Sequence, residues 1–166
     1  MKKIVVSILL LFLTNAISAQ NNLKEQLATT LNAWHKAAAE ANYDDYFNLL
    51  SDDAIFIGTD ATENWTKSAF EAYSKPYFDK GKAWSFTAIE RNIYFNNDKT
   101  LAWFDELLDT QMKICRGSGV MVFIKGQWKI KQYVLSMTVP NDNVDEVVKI
   151  KTPIENLLIA TLKEKK

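Results

Sequence analysis

Three consecutive stretches between residues 100 and 139 alternate apolar and polar positions, are rich in Val, Ile, Phe, Trp and Tyr, and contain no proline. They predict three β-strands: TLAWFDELLDT, KICRGSGVMVFIKG and QWKIKQYVLSMTV. A fourth predicted strand, residues 84–95, precedes them, and Asn96-Asn97-Asp98-Lys99 forms the turn between. Lys125-Gly126-Gln127 is a glycine-containing turn of the kind that closes a hairpin. The second half of the chain is therefore predicted to be a strand meander.

The first half of the chain shows helical spacing. One apolar stripe at i, i+4, i+8, i+11 and i+15 predicts an amphipathic N-terminal helix: Leu23, Leu27, Leu31, Trp34 and Ala38. A short second helix, capped by Asn42 or Asp44, precedes a strand at residues 54–57 that Gly58 ends. Together these segments predict two helices and one strand ahead of the meander.

Two further helices are predicted from their capping residues. Thr66 is a suitable N-cap for a third helix that ends at Gly81, with Pro76 expected to kink or end its regular part. Thr152-Pro153-Ile154-Glu155 has the form of a capping box and predicts a C-terminal helix that begins at Pro153. Helices followed by grouped strands indicate an α+β fold, with helices on one face of a mostly antiparallel sheet.

Composition narrows the possible partners. The 166 residues fit one domain, and twenty Lys+Arg balance twenty Asp+Glu, so a nucleic-acid partner is not expected. Cys115 is the single cysteine, which excludes intramolecular disulfides and Cys-rich zinc sites. With one histidine and no dinucleotide or phosphate-loop motif, we expect neither a metal site nor a cofactor.

The N-terminus has the three-part pattern of a secretory signal peptide. Met1-Lys2-Lys3 precedes an apolar run that is too short to span a membrane, and small residues end at Ala19. We expect residues 1–19 to be removed, leaving a mature chain from Gln20 that is periplasmic or secreted and has no membrane association.

Strand parity predicts which side chains face the helices. Lys129 and Lys131 alternate with apolar residues in the last strand, so its even-numbered positions should be covered. A three-residue loop that pairs Ile124 with Trp128 would put the even positions of the preceding strand on the same face. The predicted covered set is Ile114, Arg116, Ser118, Val120, Val122, Trp128, Ile130, Gln132 and Val134.

An inward-facing arginine requires a carboxylate or a ligand anion, because an unpaired buried charge is costly. A two-residue loop at Gln111-Met112 would set Asp105 opposite Ser118, so Asp105 is favoured over Glu106 as the inward partner of Arg116. A structural ion pair and a ligand site both account for this arrangement. Asp105 and His35, which borders the helical stripe, are the candidate catalytic residues.

The odd-numbered positions of the same two strands are too apolar to face solvent uncovered. This set predicts a homodimer interface or a docking surface for the C-terminal helix: Met121, Phe123, Tyr133, Leu135 and Met137.

Several segments together resemble the SnoaL-like branch of the nuclear transport factor 2-like superfamily. They are Trp34-His35-Lys36-Ala37-Ala38-Ala39, Asp53 to Asp60 leading to Trp65, Ala102-Trp103-Phe104-Asp105-Glu106, Arg116-Gly117-Ser118-Gly119-Val120 and Trp128 to Tyr133. The resemblance implies a cone, in which a curved sheet wraps a long helix and a pocket opens at one end, and it implies a dimer through the sheet. The domain is expected to span residues 20–142, followed by a C-terminal helical extension, residues 143–166.

Three functions remain open at this point. The first is a binding module for a small, partly apolar and anionic ligand, with aromatic walls and polar anchors: Trp34, Phe56, Trp65, Tyr77, Arg116, Ser118 and Gln132. The second is an enzyme of isomerase, cyclase or dehydratase type, as the superfamily implies, in which Asp105 or His35 transfers a proton. The third is a structural or partner-binding dimer whose cone is filled by its own side chains.

Overall fold

The computed structural model describes residues 22–165; the predicted signal peptide, residues 1–19, lies outside them. Helix α1 covers residues 22–39. The later elements are α2 (Tyr43–Asn48), β1 (Leu50–Ile57), β2 (Asn64–Thr66), α3 (Lys67–Asp79), β3 (Phe86–Phe95), β4 (Leu101–Thr110), β5 (Lys113–Ile124), β6 (Gln127–Met137), a 3₁₀ turn (Asn141–Asn143) and α4 (Val144–Glu164). The predicted α+β order is confirmed.

The six strands form one sheet in the order β2-β1-β6-β5-β4-β3. Strands β3 to β6 form the predicted antiparallel meander, and β1 pairs with β6 in parallel. The short strand β2 was not predicted, and it adds an antiparallel edge to β1. The predicted caps Asn42 and Thr66 accept hydrogen bonds from backbone amides in the first turns of α2 and α3.

Helix α1 supplies the centre of the core. Its predicted stripe is buried over most of its length, with Leu27, Leu31, Trp34 and Ala38 at most 1% exposed. Trp34 packs edge-on against Tyr133 of β6, with 4.7 Å between ring centroids, which places the helix against the inner face of the sheet. Aromatic residues from α2, α3 and β1 complete this core: Tyr46, Phe47, Phe56, Phe70 and Phe78.

The predicted orientation of β5 is wrong, because the β5–β6 loop is shorter than expected. Ile124 pairs with Gln127, and the two-residue loop Lys125-Gly126 has positive φ at both positions (51° and 83°), as in the type I′ turn that joins twisted strands. Cys115, Gly117, Gly119 and Met121 therefore face inward, and the even-numbered positions face outward.

A β-bulge in β6 shifts the alternation of inward-facing and outward-facing side chains within that strand. Met121 pairs with Ile130 but Val120 pairs with Gln132, so Lys131 is the extra residue. Trp128 and Ile130 face inward as predicted, whereas Tyr133 and Leu135, rather than Gln132 and Val134, face inward beyond the bulge. The shorter loop and the extra residue compensate in register, so Val120 pairs with Gln132 and Ser118 with Val134, as a three-residue loop without a bulge would also have given.

The apolar set that was predicted to form the outer face lies mostly in the core. Met121 and Tyr133 are at most 1% exposed, and Leu135 is also buried. The outer face carries a different set of large apolar side chains, of which Tyr94, Trp103 and Ile114 are 45 to 48% exposed. Tyr94 and Trp103 stack on neighbouring strands, with 6.0 Å between ring centroids.

Helix α4 begins at Val144, nine residues before the predicted start at Pro153. The capping-box prediction is wrong because Thr152 lies inside the helix, where its hydroxyl donates to the carbonyl of Val148. None of the α4 residues is buried, and Ile150, Ile154 and Leu157 are 72 to 74% exposed. No helix within residues 22–165 is long and apolar enough to cross a membrane.

Candidate functional site

A buried carboxylate, Glu106, lies at the centre of the most extensive polar network in the core. Glu106 belongs to the inward-facing positions of β4 and is 0% exposed. Its Oε1 atom lies 2.8 Å from His35 Nε2 on α1 and accepts a hydrogen bond from the Tyr133 hydroxyl at 3.0 Å. One helix and two strands thus converge on a single carboxylate oxygen.

The second oxygen of Glu106 is held by Arg91 of β3. Arg91 Nε donates to Oε2 at 2.8 Å, and Nη2 lies 2.7 Å from the same atom. Arg91 Nη1 continues to α1, where it donates to the Ala28 carbonyl at 3.1 Å and to Asn32 Oδ1 at 2.9 Å. Both oxygens of Glu106 are therefore hydrogen-bonded. Through the contacts of His35 and Arg91, the network links α1 to strands β3 and β4.

The network keeps Glu106 ionised. Burial alone would raise the pKa of Glu106, but the hydrogen bond and charge of His35 and the guanidinium of Arg91 outweigh burial, and its pKa lies below the usual value. Burial and the adjacent Glu106 carboxylate raise the pKa of Tyr133 well above its usual value, so this hydroxyl stays a donor. A carboxylate with a lowered pKa is a weak general base.

Two glycines of β5 make room for this network. A Cβ on Gly117 would overlap the Tyr133 hydroxyl and lie 3.0 Å from Glu106 Cγ. A Cβ on Gly119 would overlap the Gln132 carbonyl and lie 2.9 Å from the Phe104 ring. Glycine at these two positions therefore leaves space for Tyr133, Glu106 and Phe104 and allows the Gln132 backbone to approach closely.

Asp105 and Arg116 are not inward-facing, so this part of the site prediction is wrong. Their side chains are 35% and 54% exposed, and Arg116 Nη1 lies 3.8 Å from Asp105 Oδ2. Gln132 is also exposed, and Ser118 is half-buried on the same outer face. The expected pairing of Asp105 with Ser118 is confirmed, but the shorter β5–β6 loop and the bulge turn these groups away from the core.

A cavity of about 190 Å³ lies at the end of the sheet where β1 ends and β3 begins. We call it the mouth cavity. Six aromatic rings line it together with six other residues: Phe56, Trp65, Phe70, Tyr73, Trp84 and Phe86, with Gly58, Thr59, Glu63, Gln111, Met112 and Leu135. Below it, the interior of the cone is filled by buried aromatic side chains of the core, including Trp34, Tyr46 and Tyr133.

Two of the four aromatic side chains that were predicted to line the binding pocket lie at this cavity. Phe56 and Trp65 line it. Trp34 is buried in the core, where it stacks on Tyr46, and Tyr77 is 47% exposed and packs beside Tyr73 outside the lining set. The buried positions of α3 are Phe70, Ser74 and Phe78, so Tyr77 lies outside the buried face of that helix.

Larger depressions occur elsewhere on the surface, with volumes of about 290 and 650 Å³. Residues of α1 line both depressions, together with edge strand β3 in the smaller one and the β5–β6 hairpin in the larger one. The smaller depression has one aromatic ring in its lining and the larger has two. The mouth cavity differs because half of its lining residues are aromatic, which is the usual composition of a small-molecule site.

His35 connects the buried network to the mouth cavity. Its ring lies 6.0 Å, between centroids, from the ring of Phe86, which lines the cavity. His35 itself is 4% exposed. A histidine held by a carboxylate can exchange a proton with a bound molecule, provided that the molecule reaches past Phe86. Residues 22–165 contain no group of three or more His, Cys, Asp or Glu side chains that could hold a metal ion.

Sequence reasoning missed Arg91 and placed Glu106 second to Asp105. The strict alternation Ala102, Phe104, Glu106, Leu108 in β4 was an available signal, because the other parity carries both Asp105 and Asp109. Arg91 was less visible, since a bulge at Ile89 shifts the alternation within β3. Counting back from the buried Ile93 identifies Arg91 as inward-facing.

Comparison with known proteins identifies the fold and the family. No curated protein matches the chain. Among solved structures, a nuclear transport factor 2-like protein of unknown function from Pseudomonas putida KT2440 has a TM-score of 0.59 at 14% identity, covering 72% of this chain and 89% of that one.

A proposed dehydratase of the same superfamily from Streptomyces avermitilis has a TM-score of 0.60 at 9% identity, over 70% of this chain and 96% of that one. A proposed scytalone dehydratase from Novosphingobium aromaticivorans DSM 12444 has a TM-score of 0.60 at 14% identity, over 76% and 87%. At these identities the similarity shows the fold alone. Residues 27–140 match the SnoaL-like domain family. The chain therefore belongs to the SnoaL-like domain family, within the nuclear transport factor 2-like fold.

Proposed function

We propose that this protein binds a small, largely apolar molecule in the mouth cavity. The observation that carries the proposal is the cavity lining, in which six aromatic rings line about 190 Å³ at the end of the sheet where β1 ends and β3 begins. An apolar cavity of roughly 150 Å³ holds a benzene-sized molecule, so a ligand with a single ring or a compact branched group fits this volume. The filled interior favours such a ligand over a larger one.

The structure removes the support for an anionic ligand. Arg116 and Gln132, the anchors proposed for an anion, lie on the outer face of the sheet. The polar groups at the mouth cavity are Thr59, Glu63 and Gln111. None of them is a cation, so a neutral or positively charged molecule is favoured.

The binding proposal can be tested with phenol and toluene as probes. Binding at ten times Kd should stabilise the fold by about 1.4 kcal/mol, which thermal unfolding and ligand-observed NMR can detect. Met112→Trp fills the cavity from the β4–β5 turn and should abolish binding, whereas Asp109→Trp adds the same ring on the outer face and should not. Equal responses of the two variants, or no response of the unmodified protein, would reject the proposal.

A second function, proton transfer to a bound molecule, is favoured by the pair formed by His35 and Glu106. Arg91 and Tyr133 hydrogen-bond to the Glu106 carboxylate, and the carboxylate in turn hydrogen-bonds to the imidazole of His35. Phe86 lies between this imidazole and the mouth cavity. In this role His35 transfers the proton and Glu106 positions it.

Exchange of the α protons of cyclohexanone in D₂O, followed by ¹H NMR, tests this second function. The unmodified protein should accelerate exchange and His35→Gln should not. Equal exchange rates for both proteins would eliminate catalysis by His35.

The N-terminal pattern supports export. We expect the protein, recovered from the periplasm or the medium, to begin at Gln20, which intact-mass measurement can establish. An uncleaved N-terminus would contradict this.

The outer face of the sheet supports a homodimer. Trp103 and Tyr94 form an exposed stacked pair there, and Ile114 of β5 is exposed further along the same face. Light scattering after size exclusion should give a dimeric mass for the unmodified protein and a monomeric mass for Trp103→Glu. A monomer in both cases would reject the interface.

A further inference from the structure

The mouth cavity has a negative charge and no positive one. Of its twelve lining residues, Glu63 is the single charged side chain. Within residues 22–165, no Lys, Arg or His nitrogen lies within ion-pair distance of this carboxylate. The cavity therefore combines one unneutralised anion with predominantly aromatic walls.

The loop between β1 and β2 holds Glu63 in place. The backbone amide of Gly58 donates to the Glu63 carbonyl at 3.0 Å, and the amide of Asp60 donates to Glu63 Oε2 at 3.2 Å. A side chain at Gly58 would overlap that carboxylate, so the glycine permits Glu63 to fold against the end of β1. Glu63 is half-buried, and it lies at the rim of the cavity instead of extending into solvent.

Three of the six aromatic wall residues, each from a different part of the chain, are not buried. Trp65 belongs to β2, Tyr73 to α3, and Trp84 to the segment before β3, and each retains partial exposure. Tyr73 stacks on Trp65 at 4.6 Å between centroids, and Phe70 stacks on both tryptophans at 5.5 and 5.6 Å. The stacking covers part of the ring faces of Trp65, Phe70 and Tyr73, and the parts of Trp65, Tyr73 and Trp84 that stay exposed form the cavity wall. Aromatic rings attract cations, tryptophan most strongly, and sets of such rings recognise quaternary ammonium groups.

We infer that the ligand of the mouth cavity is a small organic cation, whose alkylated ammonium group contacts the aromatic rings and has Glu63 as its counter-ion. This inference rests on the proposed binding function and adds the ligand class. Such a group has a diffuse charge and an apolar surface, so it is compatible with ring contacts and loses little hydration on entering. Choline has a headgroup of suitable size for a cavity of about 190 Å³.

A purely structural role for Glu63, closing the turn at Asp60, is the competing explanation. It predicts that neutralising Glu63 changes loop stability without changing ligand preference.

The test compares choline with 3,3-dimethylbutan-1-ol, in which carbon replaces the ammonium nitrogen and the shape is nearly the same. Titration calorimetry at low salt should show choline binding at least ten-fold more tightly than the alcohol. Glu63→Gln should weaken choline binding about ten-fold and leave the alcohol unchanged. Asp105→Asn removes the same charge from the outer face and should change neither affinity. Circular dichroism verifies that both variants are folded.

The outcomes separate the two proposals. If the alcohol binds as tightly as choline, or if Glu63→Gln affects both compounds equally, the cation inference is wrong and the binding function stands. If choline and the alcohol do not bind, and phenol and toluene do not bind either, both the proposed binding function and the cation inference are wrong. Choline affinity that decreases with added salt, beside a salt-independent affinity for the alcohol, would support the inference.

Discussion

Neutralising Glu106 tests whether the buried network holds the fold together. In Glu106→Gln the shape is kept, but the amide has one acceptor oxygen in place of two. Its NH₂ group must face either Arg91 or the pair His35 and Tyr133, all of which are hydrogen-bonded to Glu106 in the unmodified protein. The variant therefore leaves a buried guanidinium without a counter-ion.

The size of the effect follows from the surroundings of Arg91. Removing one partner of a buried ion pair costs about 3–5 kcal/mol, mostly through the unpaired charge that remains. The Arg91 side chain is 9% exposed, and its Nη1 atom keeps the Ala28 carbonyl and Asn32 as acceptors. These retained contacts place the expected loss near the lower limit, at about 3 kcal/mol, or about 10 °C in Tm.

Asp105→Asn is a matched control, because the neighbouring residue undergoes the same chemical change on the opposite face of β4. Its ion pair with Arg116 is long and solvent-exposed, so the expected loss is below about 1 kcal/mol. Urea unfolding at pH 7, followed by tryptophan fluorescence and far-UV circular dichroism, gives both values. Urea is preferred because a salt denaturant would screen the charges.

Equal losses in the two variants would refute the assignment of Glu106 as the central charge of the core. A double variant refines the test. Arg91→Met combined with Glu106→Gln removes the unpaired charge, so its loss should be smaller than the sum of the two single losses.

Three further outcomes are expected. Gly117→Ala should cost about 1–3 kcal/mol in urea unfolding because its methyl group overlaps the Tyr133 hydroxyl, whereas Ser118→Ala on the outer face should stay within 0.5 kcal/mol, and similar losses would contradict the crowding argument. Removing residues 141–166 should lower the free energy of unfolding by less than about 1 kcal/mol, since no residue of α4 is buried, and a larger loss would mean that the helix packs on the sheet. Because the folded-state pKa of Glu106 is lowered from 4.5, its stabilisation is present above that pH and lost as the pH falls through the folded-state value. The stability difference between the unmodified protein and Glu106→Gln should shrink below about pH 4.5, and a constant difference down to pH 2 would refute this.

The order of elements was predictable because it depends on periodicity and capping, which are local properties. The stripe on α1, the caps Asn42 and Thr66, and the strand meander all follow from short windows of sequence. Most of the secondary structure and the fold class therefore needed no knowledge of distant contacts, whereas the edge strand β2 and the start of α4 were missed.

The candidate site was less predictable because it depends on strand parity, which one residue reverses. The length of the turn at Lys125-Gly126 and the bulge at Lys131 together decide that Gly117 and Tyr133, and not Arg116 and Gln132, face the helix. The segment Lys125-Gly126-Gln127 is compatible with a two-residue loop and with a three-residue loop, and no local signal distinguished the two.

The mouth cavity could be predicted only in part. Phe56 and Trp65 were identified as wall residues, but Glu63 was not among the predicted site residues. Its position at the cavity depends on the fold of the β1–β2 loop against the end of β1, and this is a tertiary arrangement without a sequence period.

The extra residue in β6 has a consequence for how distant relatives should be aligned with this chain. A gap-free alignment to a protein whose corresponding strand lacks the insertion would equate Tyr133 with an outward-facing position, and the error would continue to the end of the strand. By the same reasoning, deletion of Lys131 would preserve the hairpin turn and the start of the strand. Ile130, Gln132 and Tyr133 would then alternate regularly, so Tyr133 would keep facing Glu106, and Gln132 and Val134 would keep facing outward. The extra residue thus shifts the numbering of the strand and not the set of side chains that belongs to the interior.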